Sequence, residues 1–86
     1  MPAYYSDLVH RKTAVYWLRD KDGNALYVGL TCNPRGRLSK HAMREWWPQV
    51  TDIDIEWYEG REGAKDRERW AIVWDKPLHN ITGVVR

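Results

Sequence analysis

The sequence contains no phenylalanine, a single cysteine and no long apolar run. The lone Cys32 excludes an intramolecular disulfide and, without partner thiols, argues against a zinc site. No apolar stretch approaches the roughly 20 residues that span a bilayer, and the first residues lack a secretory core. We therefore expect a cytoplasmic protein that does not enter membranes.

The sequence also lacks a strong charge of either sign. Lysine and arginine outnumber aspartate and glutamate by 14 to 12, and a net charge of +2 does not by itself indicate a nucleic-acid-binding protein. The distribution is more informative, because four basic residues fall within ten positions. They are Arg35, Arg37, Lys40 and Arg44. They form either a solvated basic face or a surface that binds phosphates.

The composition is that of one globular domain and not of a disordered chain. Apolar residues make up 43% of the 86 residues and charged residues 30%, with both signs interspersed. We expect a single domain over residues 1–86, close to the lower size limit for burying a core. Most of the six tryptophans and five tyrosines should lie in that core, whereas one or two exposed indoles could stack on bases.

Two neighbouring segments have the pattern of a β-hairpin. Residues 13–19 and 25–30 are rich in β-branched and aromatic side chains, and the Asp-Gly pair between them favours a tight turn. Alternation places Tyr16 and Tyr27 on one face of this hairpin if the register pairs them. A third strand, half-buried and with apolar residues at alternate positions, is predicted within 51–60.

Start and stop signals predict two helices. Asn33 can cap free backbone N–H groups and Pro34 suits the first helical position, so a helix is predicted from about Pro34 to Trp46. The second helix is predicted from about Arg61 to Trp74. The element order is therefore β-β-α-β-α, without internal repeats or linkers.

The helical phase of the first predicted helix separates an apolar stripe from a basic one. Leu38, Ala42 and Trp46 lie on the stripe that is expected to pack. Arg37, His41 and Arg44 lie on the basic stripe, which faces outward or across a cleft. Taken alone, Arg37 and His41 are better interpreted as surface charges.

Glu68 is the most unusual residue of the second predicted helix. The helical phase places this carboxylate on a face that is otherwise apolar. A carboxylate at the rim of such a face needs a hydrogen bond, an ion pair or a bound cation, since unpaired burial is costly. The alternatives to a bound cation are an ion pair with Lys65 and a solvated position in the surrounding charged run.

Together these residue types could hydrolyse a phosphodiester. The reaction requires an activated water, charge neutralisation at the non-bridging oxygens and a route for the leaving oxygen. A glutamate that holds Mg²⁺, an arginine that grips phosphate and a tyrosine or histidine that relays protons would meet those needs.

The sequence resembles the GIY-YIG nuclease domain over most of its length. "AVY" at 14–16 and "YVG" at 27–29 stand where that family has its two signature tripeptides, with Ala14 in place of the first glycine. Three later motifs match in order, namely "NPRGRLSKH" at 33–41, "RERWAI" at 67–72 and "HNI" at 79–81. Each motif alone is weak, whereas five in the right order are a specific signal.

The resemblance implies a small α/β domain of the α+β kind, in which helices flank a largely antiparallel three-stranded sheet. It implies a metal-dependent endonuclease that cleaves nucleic acid, with DNA as the favoured substrate and one Mg²⁺ or Mn²⁺ ion as cofactor. The main alternative is a non-catalytic nucleic-acid-binding or adaptor module on the same fold. A protein-interaction domain that uses Trp46 and Trp47 as an exposed apolar patch is a third hypothesis.

The resemblance also implies roles for the candidate catalytic residues. Glu68 would hold the metal ion, and Arg37 would stabilise the charge that develops on the scissile phosphate. Tyr16 is the favoured proton acceptor from water, with Tyr27 and His41 as its hydrogen-bonding partners. A phenol has a pKa of about 10, so Tyr16 would need help to lose its proton.

Two further site residues and the source of specificity are left with alternatives. Gly29 either allows close backbone approach or forms a simple bulge. Asn80 either orients Tyr16 or a water, or caps the final turn.

Many relatives carry a separate DNA-binding domain, for which 86 residues leave no room. Specificity is therefore expected from the basic helix, a homodimer, a partner protein or recognition of nucleic-acid structure. The predicted nucleic-acid-binding residues are Arg35, Arg37, Lys40 and Arg44.

Overall fold

A three-stranded antiparallel sheet in the order β2-β1-β3 forms the centre of the fold, in a computed structural model that describes residues 12–80. The strands are β1 (Thr13–Arg19), β2 (Ala25–Thr31) and β3 (Asp52–Tyr58). The helices are α1 (Pro34–His41) and α2 (Arg61–Asp75), with a short 3₁₀ helix at Trp47–Gln49. The predicted fold class and element order are confirmed. Residue 81, the last of the "HNI" motif, lies outside the described residues.

The register of the hairpin decides which side chains meet on the sheet. The turn forms as predicted, with Gly23 at φ 85°, a conformation that glycine adopts without strain. Tyr16 lies opposite Gly29, and Leu18 lies opposite Tyr27. The two tyrosines therefore share a face, as alternation predicts, but they lie diagonally and not directly opposite each other.

The other face of the sheet packs against α2. Val15, Trp17 and Val28 from the first two strands are buried together with Ala64 and Ala71 of the helix. Apolar burial of this kind is the main stabilising term for a small domain. This packing also fixes the position of the α2 turn between Ala64 and Ala71, which carries Glu68, the predicted metal ligand.

The end of β2 leads directly into α1 through a capped turn. Asn33 Oδ1 accepts a hydrogen bond from the backbone N–H of Gly36 at 3.2 Å, and Pro34 is the first helical residue. This confirms the predicted helix start. Because only two residues separate the strand from the helix, Arg37 in the first turns of α1 lies near the end of the sheet.

The first helix is shorter than the sequence predicts. α1 ends at His41 and not near Trp46, and residues 42–46 continue as turns. The backbone N–H groups of Met43 and Arg44 donate to carbonyls three residues earlier, which tightens the chain. The tightening accompanies packing of the Trp46 ring against aromatic rings from β2 and from residue 79, which a regular helix pattern does not reveal.

The predicted stripes of this helix are wrong as well. His41 is only 4% exposed, whereas Ala42, which was expected to pack, is exposed. Leu38 is half-buried. The physical reason is that α1 does not pack along one continuous stripe. Instead, its last residue inserts among the aromatic rings on the tyrosine face of the sheet.

The large apolar side chains on the surface are not those that the protein-interaction hypothesis names. Trp46 and Trp47 are half-buried, whereas Trp57, Trp70 and Trp74 are exposed. The prediction that most tryptophans lie in the core is therefore wrong, since Trp17 alone of the six is buried. β3 is confirmed as a strand, but its side chains are mostly exposed and not half-buried, because α2 packs its buried alanines over β1 and β2 and not over β3. Within residues 12–80, no helix has both the length and the apolarity needed to cross a bilayer.

Candidate active site

Three aromatic side chains form the centre of the candidate site. The ring centroids of Tyr27 and His41 are 4.5 Å apart, and those of Tyr16 and Tyr27 are 6.0 Å apart. Tyr16 Oη lies 2.7 Å from His41 Nε2, which is a strong hydrogen-bond distance. His41 is thus a hydrogen-bonding partner of Tyr16, whereas the contact of Tyr27 with both is one of ring packing.

Gly29 provides the space that the Tyr16 ring occupies. A methyl group at Gly29 would overlap Oη and Cζ of Tyr16 and come within 2.7 Å of Cε1. Gly29 also sits in the regular ladder opposite Tyr16, while the irregularity of this strand pair falls between Leu18 and Arg19. Of the two interpretations, close approach therefore fits this glycine and a bulge does not.

Asn80 holds the backbone of β2 between Tyr27 and Gly29. Its Oδ1 accepts a hydrogen bond from the Val28 N–H at 2.7 Å, and its Nδ2 donates to the Val28 carbonyl at 2.9 Å. The amide thus pairs with one residue of the strand as a neighbouring strand would. In this arrangement Asn80 positions the strand, and its hydrogen bonds reach neither the Tyr16 phenol nor its ring.

Arg37 and Glu68 bring opposite charges to the Tyr16 phenol. Burial is the main cause that raises the pKa of Tyr16 well above its usual range, and the neighbouring Tyr27 adds to the increase. The guanidinium of Arg37 lowers the pKa of Tyr16, while the carboxylate of Glu68 raises it. The increase prevails, so the phenol keeps its proton near neutral pH.

Glu68 is partly withdrawn from water, as the helical phase predicts. Burial raises the pKa of this carboxyl group, and the positive charges of Arg61, Arg37 and Lys65 oppose the increase. In the part of the chain that the structure describes, Glu68 and Lys65 form no ion pair within 4 Å. Sequence reasoning missed Arg61. The signal was its spacing of two helical turns before Glu68, which places both on one face.

Glu68 fits the role of a single protein ligand to Mg²⁺. No cluster of three or more His, Cys, Asp or Glu side chains suited to a metal occurs between residues 12 and 80. Mg²⁺ needs no such cluster, because it usually keeps several waters and binds through one or two carboxylates plus substrate phosphates. A half-buried carboxylate close to Arg37, which can hold the phosphate, suits that mode of binding.

His41 is held neutral by its surroundings. Burial is the main cause that lowers its pKa, and the positive charges of Arg37 and Arg44 lower it further. Nδ1 is buried without a hydrogen-bond partner among the described residues, so packing and the bond to Tyr16 hold the ring. A neutral imidazole whose Nε2 faces a phenol can accept the phenolic proton.

Mild acid should destabilise the protein through His41. Because its pKa is lowered in the folded state, the unfolded chain binds this proton more tightly, and stability should fall as the pH drops below about 6.5. Denaturant unfolding at several pH values between 5 and 8 measures the effect. The His41→Gln variant should lose less stability in acid than the wild type, and parallel curves for the two proteins would contradict the prediction.

Because α1 ends at His41, the predicted basic residues do not form one continuous helical face. Arg35, Lys40 and Arg44 are exposed, whereas Arg37 is half-buried and directed by its charge interactions toward the site. Arg44 follows the end of α1 and does not continue its helical stripe. The exposed side chains remain available to phosphates on either side of Arg37.

Comparison with known families identifies the class of this domain. The model of the GIY-YIG catalytic domain matches residues 12–80, which is most of the chain. The chain therefore belongs to the GIY-YIG nuclease family, as its motifs indicated. Proteins of this family act on nucleic acids and generally depend on a divalent metal. A search of curated proteins and a search of solved structures found no match.

Proposed function

We propose that this protein is a Mg²⁺-dependent endonuclease that hydrolyses DNA phosphodiester bonds. The reaction takes place at the active-site cluster, which we define as Tyr16, Tyr27, Arg37, His41 and Glu68. The supporting observation is the 2.7 Å Tyr16–His41 hydrogen bond within reach of the charges of Arg37 and Glu68. A module that only binds nucleic acid has no use for a carboxylate beside the phosphate.

Tyr16 and His41 move the proton of the attacking water. The water oxygen bonds to phosphorus while its proton passes to Tyr16 Oη, and the phenolic proton passes to His41 Nε2. The 2.7 Å distance between Oη and Nε2 supports this relay, and the pKa directions give its starting state, because burial keeps the phenol protonated and His41 neutral. Tyr16 therefore does not need to exist as a free phenolate. The bond to the leaving oxygen breaks, and that oxygen takes a proton from solvent.

Arg37 and Glu68 act on the negative charge that develops on the phosphate during the reaction. Arg37 donates hydrogen bonds to non-bridging phosphate oxygens, whose negative charge grows in the transition state. Glu68 would hold the divalent ion through its carboxylate. When bound, Mg²⁺ supplies positive charge that stabilises the phosphate in the transition state. The partial burial of Glu68 strengthens its attraction for a cation, since less water screens the carboxylate.

Purified protein is expected to cut DNA with Mg²⁺ and to stop when a chelator is added. Supercoiled, branched and single-stranded DNA and RNA serve as substrates, and gel electrophoresis measures the rates. The Arg37→Ala variant should cut at least about a hundredfold more slowly, because it loses a donor to the developing charge.

The matched control for that variant is Arg69→Ala. Arg69 is an exposed arginine of α2 whose ion pair with Asp66, at 3.6 Å, lies on the surface and contributes little. The Arg69→Ala variant should cut within about twofold of the wild-type rate. Circular dichroism checks that both variants fold. Equal rates for the two variants would contradict the role of Arg37. Failure to cut any substrate would support the non-catalytic binding module instead.

A further inference from the structure

A cavity of about 610 Å³ opens beside the active-site cluster. It is formed by the turns after α1, by the 3₁₀ helix and by residue 79. The lining residues are Met43, Arg44, Glu45, Trp46, Gln49 and His79. Its volume lies within the range of about 300–1,000 Å³ that is typical of small-molecule sites. None of the reaction steps proposed above uses these residues.

Nearly parallel aromatic rings connect this cavity to the cluster. Trp46 lies flat against His79, with ring centroids 4.5 Å apart and an interplanar angle of 8°. Trp46 also stacks on Tyr27, at 6.1 Å and 20°. Because Trp46 and His79 both line the cavity, a flat aromatic ligand there would contact this group of rings and would lie close to the groups that act on the phosphate.

The other lining residues provide the polar groups that a nucleobase needs. The Gln49 amide can both donate to and accept from a base edge, and the Glu45 carboxylate can accept from an exocyclic amino group. Arg44 is exposed and can bind the phosphate next to the base. Met43 is 86% exposed, and its thioether can cover an aromatic ring. The cavity thus combines an aromatic wall with a polar rim.

We propose that this cavity, called here the base pocket, binds one unpaired nucleobase adjacent to the phosphate that is cut. The proposal rests on the proposed function, because the active-site cluster determines where the DNA strand lies relative to the pocket. A base inside duplex DNA is stacked on its neighbours and reaches a pocket only after it is extruded. The protein therefore prefers DNA with an unpaired nucleotide, such as a branch, a flap or a single-stranded segment. Because every base has an aromatic face, stacking adds affinity with little sequence preference.

The test measures binding without cutting. A fluorescein-labelled branched DNA is titrated in the presence of chelator, and anisotropy gives the Kd. In a series of DNAs, each nucleotide near the branch is replaced in turn by an abasic one. One position should show a loss of affinity of about tenfold, which corresponds to the loss of one base–aromatic stack.

That abasic penalty should disappear in Trp46→Ala and persist in Trp74→Ala. Trp74 is the matched control, because it is a tryptophan that is 73% exposed and does not line the pocket. Trp46 also packs against Tyr27, so the double variant Met43→Ala/Gln49→Ala tests the pocket through exposed residues alone. In that variant the loss of affinity at the abasic position should fall from about tenfold to about fivefold or less. Because each penalty is a ratio within one protein, a general loss of affinity does not reproduce these results.

Two results would overturn the base pocket. The first is that no abasic position weakens binding to the wild type, and the second is that the penalty is equal in wild type and Trp46→Ala. The cutting assay tests the nuclease proposal independently of the binding assay. A persistent abasic penalty without Mg²⁺-dependent cutting would contradict the nuclease and support the pocket. Cutting without any abasic penalty would do the reverse.

Discussion

Glu68→Gln is expected to slow Mg²⁺-dependent cutting severely and to make the folded protein more stable. The amide is a poor ligand for Mg²⁺, and loss of the metal's charge stabilisation, several kcal/mol, corresponds to a rate about a thousandfold lower. Stability should rise because burial raises the pKa of Glu68, which means that folding disfavours the charged carboxylate. The cutting rate and the thermal midpoint Tm at pH 7.5 measure the two effects.

Glu62→Gln is the matched control for this prediction. Glu62 lies in the first turn of the same helix and is exposed, where a negative charge interacts favourably with the helix dipole. Its replacement should leave cutting intact and lower Tm slightly, so the same substitution gives stability changes of opposite sign at the two positions. Cutting that persists in Glu68→Gln would refute the metal role, and a lowered Tm would refute the account of its desolvation.

The gain in stability from Glu68→Gln should depend on pH in a defined direction. A carboxyl whose pKa is raised in the folded state takes up a proton there first as the pH falls. The penalty of the charged form is therefore full near neutral pH and disappears as the pH falls toward the ordinary glutamate pKa of about 4.3. The Tm difference between variant and wild type should shrink over the same interval.

The elements that the sequence predicts well are those determined by local patterns. Alternation of apolar residues and an Asp-Gly turn specify the hairpin, and Asn33 with Pro34 specifies the start of α1. The end of α1 was predicted wrongly because it depends on a contact between segments far apart in the chain. Trp46 fits a helical period, yet its ring packs against Tyr27 and His79, and the chain leaves the helix to allow it.

The candidate site divides in the same way between local and distant information. Glu68 could be recognised from helical phase, since a carboxylate on an apolar face is visible in one element. The position of His41 could not, because its phase allowed a side chain directed outward or across a cleft, while the structure buries it against Tyr16 and Tyr27. The role of Gly29 cannot be decided from the sequence, because it depends on strand register, which neither strand determines alone.

Gly29→Ala is the second substitution with a large expected effect, and it acts through Tyr16. The added methyl would overlap the phenol, and Tyr16 is only 1% exposed, so its ring cannot move into solvent. Either the ring shifts and the hydrogen bond to His41 is lost, or the strands separate. Overpacking of this kind costs about 1–3 kcal/mol of stability. Displacement of a reacting group by about 1 Å lowers the cutting rate about a hundredfold.

Comparison with another glycine separates the lost space from any general effect of alanine. Gly63 lies in α2, and a Cβ there meets only Tyr58 Cδ2, at 3.4 Å. Gly63→Ala should therefore raise the free energy of unfolding by about 0.5–1 kcal/mol and leave cutting unchanged. Gly29 has no positive φ, so alanine is not excluded by its backbone. In a Tyr16→Ala background, Gly29→Ala should then cost little, because the overlapping ring is gone. A cost that persists there would show that the strand, and not the phenol, requires glycine.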